Sequence, residues 1–100
     1  MMEQSKSQGS TEKSDQTPFL VSNKPVMETA LELFELLANT DEIRIRGKGE
    51  TCPNTVSAAN IITEQMLKGK SKTGKIIVDS YITNDNYMIS MIDIVIKKIN

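Results

Sequence analysis

Four basic residues sit where this chain could grip an anion: Lys24, Arg44, Arg46 and Lys48. Lys24 directly precedes Pro25 and an apolar run with a helical period. An ammonium beside a helix N-terminus lies next to unpaired backbone N–H groups, so a phosphate there meets both a charge and a dipole. Arg44, Arg46 and Lys48 alternate along a segment that ends in Gly47-Lys48-Gly49. Alternate residues of a strand share a face, so the three form a basic row suited to phosphate oxygens. A solvated face with cross-strand pairs to Asp79 or Asp93 is the other reading, and for Arg44 and Arg46 the two stand level. Lys48 differs because it lies in the glycine-flanked turn. Lys68, Lys70, Lys72 and Lys75 form a denser cluster after the second helical run, where a helix dipole favours cations. A plain solvated loop explains that cluster equally well.

Enzyme chemistry has little to work with. The chain has no histidine and a single cysteine, so neither a His/Cys zinc site nor a Cys–His nucleophile can be assembled. Cys52 therefore reads as a packed or capping thiol. Glu28, Glu32 and Glu35 recur on one helical face and read as a solvated acidic surface turned away from any nucleic acid. Schiff-base chemistry through Lys24, as in a lyase or nuclease acting at abasic sites, needs a neutral lysine; it is chemically possible and stays as the last alternative. A binder is expected, and no cofactor.

The 100 residues suffice for one domain with a modest core. Aromatics make up 4% and tryptophan is absent, so Ile, Val, Leu and Met must fill that core. Net charge is −1 and the isoelectric point about 5.4. After residue 18 the chain holds ten basic and ten acidic residues, the first 18 carrying two of the 12 basic and three of the 13 acidic ones. A basic coat over the whole surface is excluded; nucleic-acid contact must come from local clusters. No run is apolar enough to span a bilayer and no secretory signal is recognisable, so an intracellular protein is expected.

These residues need elements to position them. Residues 1–17 are polar and cannot bury enough surface to offset ordering, so a disordered tail is expected there, with the domain over 18–100. Phe19, Leu20 and Val21 suggest a short edge strand. Pro25 suits the first position of a helix over 25–38. Two stripes, Val26, Ala30, Leu33, Leu37 and Met27, Leu31, Phe34, Ala38, predict a wide buried face. Residues 42–48 alternate as a half-buried strand, with Ile43 and Ile45 inward. Pro53 marks a second helix start, capped by Thr51 or Cys52, with Val56, Ala59, Ile62 and Met66 buried and an end near Gly69. Residues 70–73 read as a loop. Two strand-like runs, 76–83 and 87–99, flank Asn84-Asp85-Asn86, a hairpin turn. The β-α-β-α-β-β order predicts a four-stranded mixed sheet packed with two helices. Met88-Ile89-Ser90-Met91-Ile92 is apolar on both faces and suggests a dimer contact. Tyr81 and Tyr87 are the sole conceivable base-stacking residues, and a core or hairpin role suits them better.

The blocks Asn23-Lys24-Pro25-Val26-Met27 and Glu42-Ile43-Arg44-Ile45-Arg46-Gly47-Lys48-Gly49, followed by the helix over 54–67, resemble successive parts of an Alba domain. The resemblance covers roughly residues 19–100 and implies a single Alba-type α/β domain, a eukaryotic member of the family. It implies a non-enzymatic protein that binds DNA and RNA largely without sequence preference, in chromatin and in RNA-protein particles, in nucleus and cytoplasm. It implies a homodimer or a heterodimer with another Alba-type chain. Lys24 takes the place of the family's loop lysine, a phosphate contact and an acetylation point, which adds a deacetylase as a partner. Lys48 matches the basic residue of the family's Arg-Gly-Arg turn, and the nucleic-acid-binding set becomes Asn23, Lys24, Arg44, Arg46, Lys48, Lys68, Lys70 and Lys72. Glu50 replaces the second arginine of that turn, and Thr63, Glu64 and Gln65 fill a helical turn that is usually arginine-rich. These departures point to weaker duplex coating, a preference for RNA, or a partner that supplies charge. A non-catalytic subunit of ribonuclease P or MRP is the alternative.

Overall fold

A computed structural model describes residues 17–99; apart from Thr17, the polar tail over 1–17 lies outside them. The elements are β1 (Phe19–Leu20), α1 (Val26–Ala38), β2 (Glu42–Lys48), a 3-10 turn (Gly49–Thr51), α2 (Cys52–Ile61), a π-helical turn (Ile62–Met66), β3 (Ser71–Ile82) and β4 (Met88–Lys98). The strands form one sheet in the order β1-β2-β4-β3. β1 lies parallel to β2, and the other pairings are antiparallel, which makes the sheet mixed.

Both helices cover the sheet face that carries Ile43, Ile45, Ile94 and Ile96. These pack with Leu33 and Leu37 of α1, Ala58 and Ala59 of α2, and Ile62 to form the core. No helix of the described residues lies on the opposite face. Period-2 alternation explains the division: Ile43, Ile45 and Gly47 are buried, while Arg44 and Arg46 between them are half-buried on the outer face.

Several expectations change. Pro25 is not the first helical residue. Its φ of −53° suits a helix, but its ψ is 134°, so it acts as the N-cap, its carbonyl accepting from the Glu28 N–H at 3.0 Å. Of the two α1 stripes only one is buried, together with Thr29; Met27, Leu31 and Phe34 are exposed. A two-layer domain whose edge strand is two residues long cannot cover both flanks of that helix. Val56 is likewise exposed, and Thr55 and Ala58 take its place inward. Pro53 lies just inside α2, with Thr51 as the N-cap. The loop read over 70–73 is strand from Ser71 onward, because Ser71 and Lys72 pair with Lys98 and Lys97 of β4. The missing strand signal is a bulge: the register shifts between Thr73 and Ile76, where Gly74 interrupts the pattern.

Candidate nucleic-acid interface

The register decides which basic residues meet. Phe19 lies beside Ile45 and Leu20 beside Arg46, and the Val21 N–H donates to the Arg46 carbonyl at 2.9 Å. The chain leaving β1 therefore passes the Lys48 end of β2, and Asn23 and Lys24 arrive there. The β3–β4 hairpin projects beyond the same end: Lys48 pairs with Met91, and the ladder continues through Ser80, Tyr81 and Ile82. Lys68, Lys70 and Lys72 are exposed but belong to the other end, where Lys72 pairs with Lys97 and Lys97 with Glu42. β2 alone separates the two ends by roughly 20 Å. The expected site thus divides into a lysine corner at the hairpin end and a separate lysine cluster at the opposite end.

Lys48 is held by its backbone, and its ammonium lies over an aromatic ring. Its N–H donates to Thr51 Oγ1 at 2.9 Å, and that hydroxyl donates back to the Lys48 carbonyl at 2.9 Å. Gly49, at a φ of 55°, adopts the left-handed conformation that turns the chain into α2. Gly47 lets α2 approach: a Cβ there would lie 2.1 Å from Thr55 Oγ1 and 2.8 Å from the Thr51 carbonyl oxygen. Lys48 makes no ion pair with any described residue; its Nζ lies 5.9 Å from the ring centroid of Tyr81.

The other basic residues are differently placed. Lys24 Nζ pairs with Glu32 Oε1 at 2.6 Å, the two side chains 33% and 47% exposed. The acidic face of α1 is therefore not turned away from the lysine corner, as the sequence suggested. Side chains on a helix lean toward its N-terminus, which brings Glu32 back to the residue ahead of the helix. Arg46 is committed to Asp93 through two hydrogen bonds, Nε to Oδ1 at 2.6 Å and Nη2 to Oδ2 at 2.8 Å. Those bonds hold the guanidinium pKa above its usual range, against the opposing effect of burial and with added attraction from Asp93. Of the two readings open for Arg46, the cross-strand pair is the one formed. Arg44 is half-buried on the same outer face, one pair further from Lys48. Cys52 is packed, its Sγ 3.5 Å from the Gly47 carbonyl oxygen.

Sequence reasoning named four residues without seeing how the fold would place them. Thr51 could have been found from its place three residues after Lys48, the spacing of a hydroxyl that closes a turn. Glu32 was legible only as part of a helical face. Tyr81 and Tyr87 were read as core or hairpin residues, yet they are 43% and 70% exposed.

A helix-backed mixed sheet with lysines from two turns at one end defines the class: a small two-layer α/β domain. The family model for Alba matches residues 18–80. The chain belongs to the Alba family, whose members generally bind nucleic acids and form oligomers. Among solved structures it is similar to Alba from Thermoplasma volcanium, with 24% identity and a TM-score of 0.66 over 81% of this chain and 99% of that one. It is also similar to ALBA1 from Trypanosoma brucei, with 17% identity and a TM-score of 0.66 over 86% of this chain and 74% of that one. At these identities the likeness is one of fold. No curated protein matches the chain.

Proposed function

We propose that the chain binds DNA and RNA through their phosphates at the lysine corner, without catalysis, in chromatin or RNA-protein particles of nucleus and cytoplasm. The observation that carries this is that the turn after β1, with Asn23 and Lys24, and the turn after β2, with Lys48, lie at the same end of the sheet. Phosphate contacts position a duplex or a single strand without reading bases. Acetylation of Lys24 by a partner enzyme, reversed by a deacetylase, removes its charge and weakens the grip.

A salt titration tests the proposal, with matched duplex DNA and single-stranded RNA, for wild type and Lys24→Glu. Each phosphate contact contributes a log–log slope of about −0.9 on duplex and about −0.7 on a single strand. A steep slope that flattens by roughly one contact in the variant supports the reading. Binding indifferent to salt and to Lys24 overturns it.

A second reading is favoured by one observation. Lys24 and Arg46 both face carboxylates, while Val78, Ile82 and Met88 are 70%, 64% and 70% exposed on the hairpin. That combination suits a subunit of a ribonucleoprotein that dimerises with another Alba-type chain and borrows its charge. Light scattering of wild type and Val78→Glu distinguishes a self-sufficient dimer from a monomer awaiting such a partner.

A further inference from the structure

Opposite the helices, the sheet presents Lys48, Met91, Ile89 and Tyr81 on one face. Lys48 and Asp79 both pair with Met91, and Tyr81 pairs with Ile89; directly opposed residues share a face. The ladder then continues toward the tip. The Thr83 N–H donates to the Tyr87 carbonyl at 2.8 Å, and the Tyr87 N–H to Thr83 Oγ1 at 3.2 Å. Tyr87 stands two positions before Ile89, so alternation puts it on the Tyr81 face, at a diagonal separation of roughly 7–8 Å. Both rings are substantially exposed, at 43% and 70%, and Lys48 Nζ lies 5.9 Å from the Tyr81 centroid.

We propose that this face takes a short run of unpaired nucleotides, one base on Tyr81, the next on Tyr87, and their phosphate on Lys48. The inference rests on the nucleic-acid reading above and deepens it by naming the ligand class. An aromatic ring offers its π-face to any base, but only a base free of its partner strand can lie flat on it. Stacking of a base on an aromatic ring is stronger than an exposed cation–π contact. An incoming base therefore takes the Tyr81 ring, and the flexible lysine moves its ammonium onto the phosphate. Among the described residues Lys48 has no carboxylate to leave behind, unlike Lys24 and Arg46. Asp79 on the same face and Asp85 at the tip repel a longer phosphate track, which limits the site to a short segment.

The chain reports on this itself. It has no tryptophan and two tyrosines, Tyr81 and Tyr87, so all tyrosine emission comes from the proposed platform. Single-stranded oligothymidylate is added to wild type, Tyr81→Leu, Tyr81→Phe and Tyr87→Leu, beside a duplex of equal phosphate number. The expected result is quenching of wild-type emission by the single strand. Tyr81→Leu and Tyr87→Leu each weaken single-strand binding roughly 5- to 150-fold and leave duplex binding unchanged, while Tyr81→Phe retains it. Unquenched emission, or leucine variants that bind the single strand as wild type does, overturns the platform while phosphate binding to the duplex stands. If wild type binds neither probe, the nucleic-acid reading fails with it. Circular dichroism of the variants separates a lost platform from a lost fold.

Discussion

Lys24 Nζ lies 2.6 Å from Glu32 Oε1, so the first lysine of the corner is neutralised before any ligand arrives. A pair this exposed is worth at most about 1 kcal/mol. A phosphate therefore displaces Glu32, at a cost that weakens binding. Glu32→Gln is expected to tighten duplex and single-strand binding, by up to about fivefold at low salt. Fluorescence anisotropy at two salt concentrations measures this, and a variant that bound more weakly would contradict it.

Asp93 holds Arg46 in a different regime, with side chains 6% and 27% exposed. Replacing Asp93 by Asn leaves the guanidinium half-buried without its counter-charge. The expected loss is about 1–3 kcal/mol, a fall in melting temperature of roughly 5–15 °C. Because the folded-state pKa of Arg46 is raised by the Asp93 carboxylate, its contribution is present throughout the neutral range and on the alkaline side disappears only in strong alkali. Thermal melts across the neutral range should therefore show the same deficit at each pH.

Gly47→Ala tests the approach of α2 to β2. The new Cβ meets the Thr51 carbonyl oxygen at 2.8 Å and the buried Thr55 hydroxyl at 2.1 Å, and neither can swing aside. Separation of the two elements is expected to cost about 1–3 kcal/mol. It also moves Thr51 away from Lys48. Urea unfolding gives the first quantity, and wild-type stability in the variant would refute the packing.

Thr29 offers the opposite sign. Its side chain is 1% exposed, and its hydroxyl has no hydrogen-bond partner among the described residues. Thr29→Val removes an unpaired buried donor at nearly constant shape, and helix propensity barely changes. Equal or greater stability is expected, by up to about 1 kcal/mol. A clear loss in chemical denaturation would mean that the hydroxyl has a partner after all.

Much of the architecture was legible because it rests on periodicity. The alternation of Ile43 and Ile45 with Arg44 and Arg46 predicted both the strand and its two faces, and the Asn84-Asp85-Asn86 turn came through because Asn86 does adopt a φ of 69°. Asp93 was foreseen as a partner of the basic row because directly opposed charges are a property of register. What escaped was whatever depended on how far cover extends. Met27, Leu31 and Phe34 have the right spacing for a core, but spacing cannot say that the layers end before reaching them. Lys24 and Lys72 were placed in one nucleic-acid-binding set, and only strand pairing puts them at opposite ends of the sheet. Both tyrosines do lie on the hairpin, but the core option failed for a related reason: the hairpin outruns the helices, so residues with core chemistry stand clear of any core.

The brevity of β1 has a consequence for motion. Two residues and the Val21 amide tie the first described stretch to the sheet, and Leu20 is 61% exposed. Val21 is anchored in the core, but so few ladder bonds place the segment toward the low end of the local-opening scale. Amides around residues 19–24 should exchange with solvent by local fluctuation, long before those of β2 and β4. The Lys24 turn can thus lift from its glutamate and settle again while the rest of the domain stays shut.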